Sequence, residues 1–292
     1  MSNIKIIQVD SGLPGKTVVV LAGVHGNEVC GVKAFDKLIP ELRLKSGKAY
    51  FIYANLEAIK QNKRFVEANL NRCFFEEQPK EMAETLEGKT AKEIMPYLKE
   101  ADMMLDVHAS FTRDSVPFII CGKQSLELAE ALPASIISYN WDEFEPGSSD
   151  YYLNQQGKIC ACIECGFIED EFIQTEAETA ILSFLAFANL IDFEEVINTE
   201  KQVYEITGIY KNKKSKFKKT RDFSDFETLT KKILIGMEGE LEVFGEIGDS
   251  LLFVRDREKL NDECFLTARK VALEEAKKYR EKYKNAQGVI LS

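Results

Sequence analysis

The run Thr17-Val18-Val19-Val20-Leu21-Ala22-Gly23 restricts the fold of this chain more than any other stretch. A β-branched, apolar segment that stops at glycine reads as a buried central strand. It is followed by Val24-His25-Gly26-Asn27-Glu28, so His25 and Glu28 stand three residues apart on the turn that leaves the strand. From Glu28 to about Glu41 the apolar residues Val29, Val32, Phe35, Leu38 and Ile39 recur at helical spacing, while Lys33, Asp36, Lys37 and Glu41 form the outward face. One strand-to-helix turn thus delivers two metal-ligating side chains.

The flanking segments extend an α/β pattern. Ile4 to Val9 reads as a first strand, with a turn at Gly12-Leu13-Pro14-Gly15, and Lys48 to Asn55 as another strand, giving a strand-helix-strand rhythm. Asn62 to Phe74 is polar, holds Arg64 and Arg72 and has little periodicity, as a substrate loop would. Glu87 to Ala101 reads as a helix despite Pro96, and Ala101 to Val107 as a short strand that stops at His108. Val116 to Cys121 is expected as a strand, Ser125 to Leu132 as a helix, and Tyr139 to Gln156 as a surface loop. Lys158 to Glu164 is expected as a strand with Cys160, Cys162 and Glu164 on one face, and Glu171 to about Leu190 as a helix.

After Phe193 the texture changes. Short alternating stretches at Gln202 to Tyr210, Lys232 to Val243 and Ser250 to Arg255 are separated by glycines, which suggests a smaller β-rich domain. A charged helix from Cys264 to about Lys284 is expected to close it. The boundary is placed near residue 195, giving a site-bearing domain over 1–195 and a β-rich C-terminal domain over 196–292.

Composition removes several classes of function. The longest apolar runs fall short of the roughly 20 residues that span a bilayer, and no signal-peptide core follows Met1-Ser2-Asn3-Ile4-Lys5, so a cytoplasmic protein with no membrane partner is expected. Seven cysteines, an odd number, do not resemble a secreted disulfide framework. Cys160-Ala161-Cys162-Ile163-Glu164-Cys165 is more simply a core strand than a metal cluster, since no second cysteine pair lies nearby. The net charge of -10 disfavours nucleic acid as a partner. A local basic run from Lys211 to Arg221 reads as a solvated hairpin or strand edge, with an anionic-ligand patch as the alternative. Homo-oligomer assembly is compatible with the sequence, which exposes no interface.

The chain contains two histidines, His25 and His108, and both are expected where buried strands end, the usual ligand crevice of an open α/β sheet. Together with Glu28 they make a familiar catalytic zinc set with room for a water, although the donors also suit manganese, cobalt or iron. Glu164 is the best candidate for a base beside such a water, because it ends an apolar strand and precedes Gly166. Asp106 lies on the same strand face as His108 and could orient it. Of Arg64 and Arg72, one guanidinium could stabilise an oxyanion and another hold a carboxylate.

Four ordered motifs, Gly23-Val24-His25-Gly26-Asn27-Glu28, Asn69-Leu70-Asn71-Arg72-Cys73-Phe74, Asp106-Val107-His108 and Ile163-Glu164-Cys165-Gly166, resemble those of the succinylglutamate desuccinylase and aspartoacylase family. The resemblance spans roughly residues 17 to 190. It implies a zinc-carboxypeptidase-like mixed sheet flanked by helices, with a smaller β-rich C-terminal domain partly covering the site. It also implies that His25, Glu28 and His108 ligate Zn2+, Glu164 activates water, Arg64 polarises the scissile carbonyl, and Asn71 and Arg72 hold the amino-acid carboxylate. The reaction implied is hydrolysis of a small N-acyl amino acid.

The chain departs from the family where a further arginine should read the substrate, since none occurs between Arg113 and Arg221. Lys158 is a candidate point charge in its place, and Tyr151 or Tyr152 a candidate pocket residue. Three other readings compete: a metallocarboxypeptidase acting on peptides or cell-wall fragments, a non-catalytic metal-binding protein, and a nucleophilic Cys162 or Cys165.

Overall fold

A computed structural model describes residues 2–113, 115–194 and 200–278. In chain order its elements begin with β1 (Lys5–Asp10), β2 (Thr17–Ala22), α1 (Cys30–Leu38), β3 (Lys48–Tyr53), α2 (Leu56–Gln61), α3 (Lys80–Glu84), α4 (Leu86–Glu100) and β4 (Met103–Ser110). There follow β5 (Phe118–Cys121), α5 (Leu126–Ala131), β6 (Ile136–Tyr139), α6 (Ser149–Asn154), β7 (Ile159–Phe167) and α7 (Ile173–Phe187). The C-terminal part holds β8 (Gln202–Lys211), β9 (Phe217–Lys219), β10 (Glu227–Thr228), β11 (Ile233–Glu238), β12 (Leu241–Gly245), β13 (Ser250–Leu252) and β14 (Glu263–Val271).

Eleven strands form one mixed sheet in the order β1-β3-β2-β4-β7-β5-β6-β8-β14-β13-β10. At its centre β3, β2, β4 and β7 are parallel. The apolar run of β2 explains why. Val18 and Val20 pack on one face with Phe35 of α1 and Ile181 and Phe184 of α7, while Val19 and Leu21 pack on the other with Ile94, Met95 and Leu98 of α4. A strand without a polar face can be buried only between two helical layers. Helix α4 runs through Pro96 without a break.

Four of the seven C-terminal strands continue the central sheet. β8 pairs with β6 in parallel, so β8, β14, β13 and β10 prolong the central sheet, and a separate three-stranded sheet β12-β11-β9 lies beyond them. The boundary expected near residue 195 falls outside the described residues. The helix expected from Cys264 is a strand as far as Val271, and helix is found only over 273–278, with 279–284 outside the described residues. Long-range pairing decides this: β14 lies between β8 and β13, with Leu266 opposite both Ile209 and Leu252, and the charged stretch that suggests a helix begins only after it. The basic run after Tyr210 passes into β9, the edge of the small sheet.

Candidate active site

The C-terminal ends of the central parallel strands converge on one cavity of about 530 Å³. Glu28 N donates to His25 O at 3.1 Å, closing a tight turn after β2 that turns both side chains to the same side. Gly26, between them, is obligatory for packing: a Cβ there would stand 2.1 Å from the backbone carbon of Ala58 in α2. His108 lies inside β4, which runs on to Ser110 instead of stopping at Val107. Glu164 is opposite His108 on β7, just before a shift in the β4–β7 register and before Gly166 at φ +108.

His25, Glu28 and His108 are all buried, and their donor atoms lie within 4.8 Å of one another. Glu28 Oε1 is 2.9 Å from His25 Nδ1, and Oε2 is 2.9 Å from His108 Nδ1. The other ring nitrogens each face a side-chain oxygen. His25 Nε2 is 3.1 Å from Asn69 Oδ1, an oxygen that also accepts from Asn71 N, so Nε2 is the nitrogen that carries the proton. His108 Nε2 is 3.2 Å from Asp106 Oδ2, which accepts the Ser149 hydroxyl as well. Asp106 therefore lies beside His108, on the side away from Glu28, although His108 Nε2 makes no hydrogen bond among the described residues.

This donor set fits a metal ion. His25 Nδ1 is buried and has no hydrogen bond among the described residues, which leaves an imidazole lone pair facing the carboxylate. Burial, assisted by Arg64, pulls the His25 imidazole down to about 4, so it is neutral at pH 7 and able to ligate. Burial opposes charge on Glu28 too, but the two imidazoles outweigh it and hold that carboxyl well below the usual range. Burial likewise disfavours charge on His108, yet Asp106 and Glu28 outweigh it and hold the imidazole well above its ordinary value. Two nitrogens and a carboxylate oxygen form an N/N/O donor set of the kind transition metals take.

The other expected residues line the same cavity. Glu164 Oε2 is buried without a hydrogen bond among the described residues, and burial, then the neighbouring Glu28, push its carboxyl up to about 7. Arg64 Nη1 donates to Glu28 Oε1 at 2.9 Å, and the loop that bears Arg64 is tied to the ligand turn by Gly26 N donating to Arg64 O. Asn71 and Arg72 sit in a short 3-10 turn, where Asn71 Oδ1 accepts from Ser149 N and Arg72 is ion-paired with buried Glu145.

Several expectations are overturned. Residues 139–156 are not a surface loop: they form the end of β6, a 3-10 turn at Trp141–Glu143 and α6, and supply Trp141, Glu145, Ser148 and Asp150 to the cavity wall. Polar composition suggested exposure, but those polar groups face the site. Neither tyrosine of α6 reaches the cavity, for the Tyr152 hydroxyl binds Glu76 and the Tyr151 ring packs on Phe75. Lys158 is spent on the carbonyls of Leu98, Lys99 and Ala101 below α4. Burial pushes the Cys162 thiol well above its ordinary value, and a hydrogen bond with Cys30, then burial, do so for Cys165, which lies in the core on the α1/α7 face. Thiols so held are poor nucleophiles.

The sequence reading missed the wall formed by 253–263 and the residue that fastens it. Asp225 accepts hydrogen bonds from Ser110 at the end of β4, from Thr112 and Ser115 beyond it, and from Phe253 N after β13. Nothing local in the sequence marks that contact, which spans more than 100 residues.

Residues 14–189 match the model of the succinylglutamate desuccinylase/aspartoacylase catalytic domain family. A probable aspartoacylase from Nostoc sp. (strain PCC 7120) is 26% identical over 213 residues, 65% of this chain and 71% of that protein. A succinylglutamate desuccinylase from Idiomarina loihiensis is 30% identical over 99 residues, which is 32% of this chain and only 29% of that protein. The crystal structure of succinylglutamate desuccinylase from Vibrio cholerae superposes with a TM-score of 0.77 over 91% of this chain and 85% of that one. At 16% identity that last likeness is one of fold.

Proposed function

The chain belongs to the succinylglutamate desuccinylase/aspartoacylase family, and on that footing we propose that it is a zinc-dependent hydrolase that cleaves the amide bond of a small N-acyl amino acid. The observation that carries this reading is the buried His25, Glu28, His108 cluster sharing one cavity with Glu164, whose Oε2 has no hydrogen-bond partner among the described residues. His25, Glu28 and His108 would hold the ion. A bound zinc ion supplies positive charge that acidifies water and polarises a carbonyl oxygen.

The chain's own residues then divide the work. Glu164 removes a proton from the attacking water at Oε2 and returns it to the departing amine nitrogen. A carboxyl raised to about 7 is matched to both halves of that transfer at neutral pH. Arg64 stabilises the negative charge that develops on the carbonyl oxygen. Asn71 and Arg72 hold the carboxylate of the amino-acid part, with Glu145 fixing the guanidinium from the other side. The wall made by 253–263 faces the central strands across a cavity of about 530 Å³, a size that favours a small substrate over a peptide.

Release of free amine from N-acetyl, N-succinyl and N-formyl amino acids by zinc-loaded protein tests the proposal, with Glu164→Gln as its pair. Turnover of an acyl amino acid that the variant loses by at least about 1,000-fold is the expected result. Metal binding without turnover of any panel member would sink it.

A further inference from the structure

Four arginines line the cavity, and three of them have partners. Arg64 is bound to Glu28, Arg72 to Glu145, and Arg257 Nε donates to the carbonyl of Glu263. Arg255 has neither an ion pair nor a side-chain hydrogen bond among the described residues. Its guanidinium lies against the ring of Phe253, 5.1 Å from the centroid. A guanidinium does not escape an unfavourable site by losing its proton, so a half-buried one without a carboxylate is an uncompensated charge.

The segment that carries it is firmly held. Arg255 N donates to Cys264 O at 2.9 Å, and Phe253 N to Asp225 Oδ1 at 2.9 Å. Phe253 has φ +54, a left-handed conformation that is costly for an aromatic residue and persists only where its surroundings impose it. That kink takes the chain out of β13 and along the cavity wall. Burial, then repulsion from Arg64 and Arg257, pulls the Arg255 guanidinium below its ordinary value, with Glu263 and Asp225 only partly offsetting them. Arg64 also repels Arg72, and of the four cavity arginines Arg255 alone is unpaired among the described residues.

We infer that Arg255 is the specificity-determining residue of this site, taking a substrate carboxylate other than the one assigned to Asn71 and Arg72. The inference rests on the deacylase reading. That second carboxylate can belong to the acyl chain or to the amino-acid side chain. Either source presents the same planar, bidentate partner to the guanidinium.

Three substrates separate the cases: N-acetylalanine with no second carboxylate, N-succinylalanine with one on the acyl chain, and N-acetylglutamate with one on the side chain. Zinc-loaded wild type is expected to prefer one of the two dicarboxylates. Arg255→Gln should lower kcat/KM for that substrate at least about tenfold, chiefly through KM, and change N-acetylalanine by less than about twofold. Arg255→Lys, which keeps the charge without the fork, should fall between them. Equal losses on all three substrates in Arg255→Gln, or a wild type without preference, would overturn the inference and leave the deacylase reading standing. If wild type turns over none of them, that reading fails instead. Calorimetric titration with succinate and acetate then decides on Arg255: succinate binding at least about tenfold weaker in Arg255→Gln, with acetate unchanged, supports it, and equal binding refutes it.

Discussion

Glu87 offers the sharpest test of how this site is held, although it lies outside the cavity. It is fully buried in the first turn of α4 and receives hydrogen bonds from Val66 N at 2.7 Å, Ala68 N at 3.0 Å, Glu67 N at 3.2 Å and Asn55 Nδ2 at 3.3 Å. The three backbone amides belong to the loop between Arg64 and Asn69, so a single carboxylate sets the path that presents one residue to Glu28 and the other to His25. In Glu87→Gln one oxygen becomes an NH2 group facing two of these donors. An unpaired buried N–H costs about 1–3 kcal/mol, so the loss should be about 2–5 kcal/mol, out of the roughly 5–15 kcal/mol typical of a folded protein. Urea unfolding measures it, and hydrogen exchange at residues 66–68 shows whether the loop is what loosens. Glu87→Ala, which leaves all four donors unpaired, should rank below Glu87→Gln. A Glu87→Gln protein within about 0.5 kcal/mol of wild type, or with unchanged protection at 66–68, would refute the reasoning.

Other consequences follow from the same geometry. Gly26→Ala would drive a methyl group into the α2 backbone at Ala58 and should cost about 3 kcal/mol or more, and, if zinc is the ion held, should reduce any rise in Tm on adding zinc by displacing His25 and Glu28. A variant that folds with undiminished zinc stabilisation would contradict that placement. In the small C-terminal sheet, buried Glu238 accepts from the Tyr210 hydroxyl and from the backbone N–H groups of Lys213, Lys214 and Ser215, which hold its carboxyl down to about 2. Because the folded value lies below the unfolded one, its contribution is complete above about pH 5 and is lost as pH falls toward 2. The stability difference between wild type and Glu238→Gln should therefore shrink from about 2 kcal/mol near pH 6 to nearly nothing near pH 2. A difference that does not change with pH would rule out the carboxylate as its source.

The sequence by itself determined the centre of the molecule. Val18 to Leu21 could be buried only as a two-sided strand, the periodic stretches before and after it could only cover that strand, and His25, Glu28, His108 and Glu164 were legible because each is fixed by a short motif at the end or in the body of such a strand. Their mutual approach also followed, since parallel neighbours bring their C-terminal ends to one edge. What the tertiary structure alone decided depends on partners distant in the chain. Residues 264–271 read as helix only by continuity with the charged stretch that follows them, and the ladders to β8 and β13 make them a strand. Residues 139–156 read as exposed because their polar groups point into a cavity whose opposite wall comes from 253–263. Arg255 is only the end of a short alternating stretch in the sequence, and Asp225, reaching back to the end of β4, carries that stretch over the site. A strand's burial is written in its own alternation, whereas the identity of the group it faces is set by a contact whose other half lies elsewhere in the sequence.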